Sequence, residues 1–296
     1  MTRKADLHIH SEFSLDGEYT VKAIVEKCIT NKVDVFTISD HNFVGGNTEA
    51  AELAKENNLH FIPGVEIDCN FKGTDLHLLG FNINWKSNDF LMLEKEYSRL
   101  IMDSFEEMIH NLGKLGITVD MDEVMAKANG KLPSGELIAE TLLTNDKYQY
   151  KQLEPYRKGG ARGDMPYVYF YFDFFSQGSP AYVKVDYMTF NAAVDLIRSN
   201  GGTPIVAHPG HNFKGQEETV AALLDHGAQG LEVFNNYHSG KEIEYYAELS
   251  IAKKGLATCG SDFHGKTKPV IDIGNYAMNE KYKDYLSWSI TQFMHQ

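Results

Sequence analysis

The sequence predicts an α/β barrel-like domain interrupted by a mostly helical insertion. Three observations carry this. Strand and helix signals alternate through the first third of the chain, the alternation resumes at Met188, and residues 86–180 between them read as helices. The expected organisation is a barrel from residues 1–85 plus 181–296, with 86–180 as an insertion able to act as a lid. A chain of 296 residues, 43 % apolar, is long enough for one large domain of this kind.

Taken in order, KADLHIH reads as a strand and TVKAIVEKCITN (20–31) as an amphipathic helix capped by Thr20. VDVFTIS (33–39) is a strand that ends in DHN. GGNTEAAELAKENN follows as a helix, LHFIPGVEID as a strand with a turn in it, and TDLHLLGFNI as another strand. This rhythm favours a parallel sheet or barrel with helices outside. FLMLEKEYSRLIMDSFEEMIHNLGKLG has apolar residues at gaps of three and four, which makes a long helix. Shorter helices follow around MDEVMAKAN and SGELIAETLL. YRKGGARGDMPYVYFYFDFF is then a Gly-rich basic loop running into aromatics that suit the insertion core or a pocket wall. After Met188 three helix–strand pairs end in the strands TPIVAHP, GLEVFNN and LATCGSDFH.

The formal net charge is −13, which disfavours extended nucleic acid and anionic membranes as partners. Cys28, Cys69 and Cys259 are odd in number, far apart and without CxxC spacing, so neither a disulfide framework nor a thiolate zinc site is indicated. MTRKAD carries no apolar signal region and no apolar run reaches bilayer-spanning length, so a cytoplasmic location is expected. The oligomeric state is not legible.

Polar residues collect at the strand ends. The first strand carries His8 and His10, two apart and therefore on one side, with Asp16 in the loop beyond. The later strands bring Asp40 and His41, Glu66, His77, His208, the run Asn235, Asn236 and His238, and the pair Asp262 and His264. Each has an ordinary explanation: a surface pair, a turn, a helix cap, a hydrogen-bonded core histidine. Together they would require the same accident on strand after strand, at the face where α/β barrels keep their sites. A cluster of divalent ions explains all of them at once. The donors are nitrogen and oxygen without thiolate, a set that suits Mn²⁺, Fe²⁺ or Zn²⁺.

DLHIHSEFSLDG, SDHN, PGVEI, HLLGF, AHPG and GSDFH resemble, in order and spacing, the motifs of the PHP (polymerase and histidinol phosphatase) family of metal-dependent phosphoesterases. The resemblance implies a distorted (β/α)7 TIM-like barrel with two or three divalent ions. It also implies how the ligands divide: His8, His10, Glu66 and Asp262 on one ion, Glu66 bridging to a second held by His77 and His208, and Asp16, His41 and His264 on a third. Some members have His where this chain has Asp16.

A carboxylate-bridged metal pair lowers the pKa of a shared water and aims it at a phosphorus atom. The expected reaction is hydrolysis of a phosphate ester of a small molecule (a nucleotide, sugar phosphate or cyclic phosphate) by a metal-bridging hydroxide. Asp262 is expected to serve the reaction as well as the metal, and Asp40 to orient the site or simply shape a turn. His238 is a candidate for binding phosphate or protonating the leaving oxygen, or for a helix-capping role. Arg162 in the basic loop is a candidate phosphate ligand, with Asn235, Ser134 and His211 as further substrate contacts. An exonuclease acting on short RNA or DNA ends, a histidinol-phosphate phosphatase and a non-catalytic metal domain are the competing readings.

Overall fold

The computed structural model describes residues 3–295. Strand β1 (Ala5–Asp6), helix α1 (Val21–Thr30), β2 (Val35–Phe36), α2 (Asn47–Glu56) and β3 (His60–Phe61) follow one another as the sequence rhythm predicts. Thr20 caps α1 by accepting the Ala23 N–H. The three strands form a parallel sheet in the order β1-β2-β3, Ala5 opposite Val35 and Val35 opposite His60.

β4 (Gly64–Phe71) and β5 (Thr74–Phe81) then form an antiparallel hairpin. β7 (Thr203–Val206) is also antiparallel to β5, whereas β8 (Gly230–Phe234) and β9 (Leu256–Cys259) continue in parallel. Two-residue β6 (Met188–Thr189) pairs with the edge of β4, which gives the order β6-β4-β5-β7-β8-β9. The expectation of an all-parallel arrangement is therefore corrected at β5. Lys72 and Gly73 link β4 to β5 with φ of 53° and 91°, and a two-residue link can only reverse the chain, since a parallel return needs a crossover.

The two sheets touch at both ends. Ile9 bridges Phe263, the Leu7 N–H donates to Cys259 O at 2.9 Å, and His41 bridges Glu66. Leu7 and Ile9 are fully buried on the far side from His8 and His10, in the alternation a strand imposes.

Residues 86–180 hold helix α3 (Asn88–Lys114), α4 (Met121–Ala128), α5 (Gly135–Thr144), a 3₁₀ turn (Lys151–Tyr156) and α6 (Pro166–Phe174). Phe105, Leu112, Ile138, Leu142 and Phe170 form an apolar cluster of their own there. Within YVYFYFDFF, Phe170 is fully buried against Phe174, whereas Tyr171 and Phe172 face a cavity. The remaining helices are α7 (Phe190–Ser199), the short α8 (Pro209–Asn212), α9 (Glu217–Asp225), α10 (Gly240–Ala252) and α11 (Lys283–Met294). The sequence reading missed α11, although Leu286, Ile290 and Phe293 have helical spacing and pack on the main core. Among the described residues no helix is long and apolar enough to cross a membrane.

Candidate metal centre

Glu66 lies at the centre of the site. It is fully buried on β4, at the point where His41 bridges that strand. Oε2 has His8 Nε2 at 3.1 Å, His10 Nε2 at 3.2 Å and His41 Nδ1 at 3.4 Å. Oε1 has His77 Nδ1 at 3.1 Å and His208 Nε2 at 3.2 Å. None of these approaches to Glu66 is a hydrogen bond, and His77 Nδ1 makes none either. Buried carboxylates are ordinarily hydrogen-bonded. Here both oxygens of Glu66 crowd against imidazole nitrogens without a hydrogen bond, an arrangement that fits ligand atoms around cations.

Asp262 Oδ1 lies 3.3 Å from His10 Nε2 and 3.4 Å from both His8 Nε2 and His264 Nδ1. Asp16 Oδ2 lies 3.0 Å from His264 Nε2 and 3.8 Å from His41 Nε2. Four overlapping groups of donor atoms result, each within 4.8 Å internally: His8, His10 and Asp262; His8, Glu66 and His208; His41, Glu66 and His77; and His10, Asp16, His41 and His264. All nine residues expected to bind metal are therefore neighbours. The third-ion set gains His10, and His41 also stands beside Glu66. The donors fit divalent ions in number and in chemical type.

The backs of the rings are held. His8 Nδ1 pairs with Glu232 Oε1 at 3.0 Å, and Glu232 Oε2 accepts the His208 N–H at 2.8 Å. His208 Nδ1 meets Asn212 Oδ1 at 2.8 Å, and His264 Nδ1 meets the Asp262 carbonyl at 2.9 Å. Such partners fix the tautomer and aim the free nitrogen, as metal-ligating histidines require. The close approach needs Gly260, where a Cβ would sit 2.2 Å from His8 Cβ and 2.6 Å from Glu232 Oε1.

Burial and charge pairing pull the titratable groups in opposite directions. Burial by itself would raise the Glu66 pKa, but the rings of His8, His77 and His41 outweigh it and hold the carboxyl well below its ordinary range. Burial likewise opposes charge on His41, yet Glu66, Asp68 and Asp16 lift it to about 10. His264 goes the other way, pushed to about 4 by burial and then by His10 and Lys268. Divalent ions would replace the protons that these acids otherwise attract.

The candidates for other roles divide. Asp40 does not reach the cluster; its Oδ1 accepts the Ser11 N–H at 2.6 Å and its Oδ2 the Ser11 hydroxyl at 2.7 Å, which fixes the loop between His10 and Asp16. His238 has both ring nitrogens engaged, Nε2 accepting the Gly210 N–H and Nδ1 donating to Val233 O, each at 2.9 Å. Neither nitrogen is left for a leaving oxygen. Asn235 shapes a turn, its Oδ1 accepting the N–H groups of Tyr237 and His238. Arg162 is turned to Asp173 at 3.1 Å on a half-exposed surface and does not line the site cavity. Ser134 caps α5 by accepting the Leu137 N–H, and it and His211 do line that cavity.

The cavity, about 670 Å³, is lined by cluster residues including Asp16, His41, Glu66 and Asp262 together with the aromatic rings of Tyr97, Tyr171, Phe172 and Tyr187. Sequence reasoning missed Asp68, Glu232, Tyr237 and Lys268. Asp68 sits two residues beyond Glu66 on the same face of β4, with His41 Nδ1 at 3.0 Å and His77 Nε2 at 3.5 Å. An acid inside the apolar strand GLEVF was the visible signal for Glu232.

The sequence matches the family described as the PHP domain over residues 6–154. The chain belongs to the PHP domain family. Among characterised relatives, it is similar to a 5'-3' exoribonuclease of Haemophilus influenzae, 26 % identical over 89 % of this chain and 91 % of the relative. It is similar as well to a 3',5'-nucleoside bisphosphate phosphatase of Chromobacterium violaceum, 27 % identical over 91 % of this chain and 90 % of the relative. Among solved structures, an amidohydrolase from Chromobacterium violaceum with bound sulfate superposes with a TM-score of 0.76, at 25 % identity over 93 % of this chain and 91 % of that one. With these PHP relatives the α/β fold of parallel and mixed sheets is shared.

Proposed function

We propose that this PHP protein hydrolyses a phosphate ester of a small molecule, a nucleotide, sugar phosphate or cyclic phosphate, in the cavity above Glu66. The broader class, a metal-dependent phosphoesterase, rests on the family and on relatives that act on phosphate esters. The observation that carries the reading is the buried carboxylate of Glu66, with imidazole nitrogens close to both oxygens and no hydrogen bond on either. His8, His10, Glu66 and Asp262 would hold one ion, Glu66, His77 and His208 a second, and Asp16, His41 and His264 a third. Bound divalent ions would lower the pKa of a water and neutralise charge on the phosphoryl oxygens. Glu232, Asp68 and Asn212 orient the rings; the residues of 86–180 that wall the cavity act as its lid and exclude bulk water.

The strands β1, β2, β4, β5, β7, β8 and β9 are read as one distorted barrel. Its support is the pair of bridges, Ile9 to Phe263 and His41 to Glu66, that join the two sheets.

An exoribonuclease is the second reading, favoured by the Haemophilus relative. A crevice lined by Lys127, Lys131 and Lys266 shares Asp16, Ser134 and Glu136 with the main cavity. Lys127 and Lys266 are nevertheless both paired to Glu140, at 3.2 and 2.8 Å, which leaves little positive charge for a chain of phosphates. Phosphate release from Mn²⁺-loaded protein across nucleotides, bisphosphates, sugar phosphates, cyclic phosphates and short oligoribonucleotides separates the two. Turnover of one small-ester class supports our reading; shortening of oligoribonucleotides with little small-ester turnover overturns it.

A further inference from the structure

We propose that Lys268 is a positioning residue that holds Asp262 to the metal centre through one oxygen alone. The proposal rests on the metal reading above and adds to it a residue outside the ligand set.

Lys268 is only 8 % exposed. Lysines are rarely this buried unless paired. Its Nζ donates to Asp262 Oδ2 at 2.5 Å and to the Tyr237 hydroxyl at 2.7 Å, and that hydroxyl donates in turn to the same Oδ2 at 2.5 Å. Oδ2 is thus held by two donors, Lys268 and Tyr237. Oδ1 faces His8, His10 and His264. A carboxylate held this way offers one oxygen to a cation and cannot swing to offer two.

The placement of Lys268 is built into the fold. A 3₁₀ turn, Gly265–Thr267, folds the chain back directly after His264. The Lys266 N–H donates to Glu18 Oε2 at 2.7 Å, the Thr267 hydroxyl to Asp16 O at 2.9 Å and the Lys268 N–H to Gly265 O at 3.1 Å. Gly265 has φ of +75°, and a Cβ there would meet Glu18 Oε2 at 2.6 Å, so a larger residue would displace the turn. Asp262 itself has φ of 57°, a costly conformation for a non-glycine residue that persists only when its surroundings hold it. Its N–H donates to His8 O at 2.9 Å, which fixes the backbone while Lys268 and Tyr237 fix the side chain.

The test is calorimetric titration of chelator-stripped protein with Mn²⁺ alone, together with kcat and KM for a substrate found by the phosphate-release panel. Variants are Lys268→Met, Lys268→Arg and Tyr237→Phe, each checked for folding by circular dichroism. Lys268→Met should bind Mn²⁺ about 10–100-fold more weakly, the usual cost of losing a partner behind a metal ligand, with kcat reduced and KM little changed. Lys268→Arg should recover most of the affinity, and Tyr237→Phe should fall in the same direction as Lys268→Met by a smaller factor. Wild-type affinity and kcat in Lys268→Met overturn the proposal. So does a rise in KM alone, which would make Lys268 a substrate contact. Failure of the wild-type protein itself to take up Mn²⁺ would instead overturn the metal reading.

Discussion

Both oxygens of Glu66 lie among imidazole nitrogens of His8, His10, His41, His77 and His208, with no hydrogen bond to relieve their burial. Glu66→Gln should therefore weaken divalent-ion binding by at least about 100-fold, more than the loss of an outer partner costs. Metal analysis after dialysis reads this directly, and retained metal would contradict it. His238 is the opposite case. Because its nitrogens satisfy Gly210 N–H and Val233 O, His238→Ala should lower stability by about 1–3 kcal/mol, the cost of leaving buried groups unpaired, with kcat close to wild type. Urea unfolding beside steady-state kinetics checks it, and a collapse of kcat in folded protein would restore a catalytic role. A pH signature belongs to this scale too. Burial raises the Asp6 carboxyl to about 6, even though it accepts N–H groups from His8, Ser261 and Gly274. The native state therefore holds this proton longer than the unfolded chain. Its contribution to stability is fully present below the ordinary pKa near 3.8 and is lost as pH rises through about 6, by about 3 kcal/mol in all. The stability of wild type relative to Asp6→Asn should fall from pH 4 to 7; a flat difference would refute it.

The candidate ligand residues were legible at the scale of elements, since a histidine or acid ending an apolar strand is visible in a linear sequence. The hairpin was harder. TDLHLLGF reads equally as a parallel or an antiparallel strand, and only the two-residue link at Lys72 and Gly73 decides. His77 consequently reaches the centre from within an antiparallel strand, opposite Asp68, rather than from a strand's end. Lys268 and Tyr237 could not be read at all, because they meet Asp262 only once the turn after His264 has formed. Helix α11 was legible and went unread, beyond the last motif. Its Phe293 is 2 % exposed and packs on Phe81, so Phe293→Ala should cost about 3–5 kcal/mol. A thermal midpoint within a degree or two of wild type would show that α11 is not part of the core.

For the whole molecule, one acidic chain brings its candidate ligands together from two sheets, and residues from the 86–180 segment such as Tyr97, Tyr171 and Phe172 line the cavity beside them. Arg162, expected from the basic loop to meet phosphate, is paired to Asp173 and stands outside the lining of the cavity. Charge in a loop says little about which way the loop faces. The negative net charge and the ion-paired lysines of the side crevice agree with a small substrate. The most direct measurement is phosphate release from small phosphate esters by Mn²⁺-loaded wild-type protein and its Glu66→Gln variant. Turnover by the wild type that disappears in folded Glu66→Gln is the expected result. Equal turnover by both proteins would mean that the Glu66 cluster is not where the ester is cleaved.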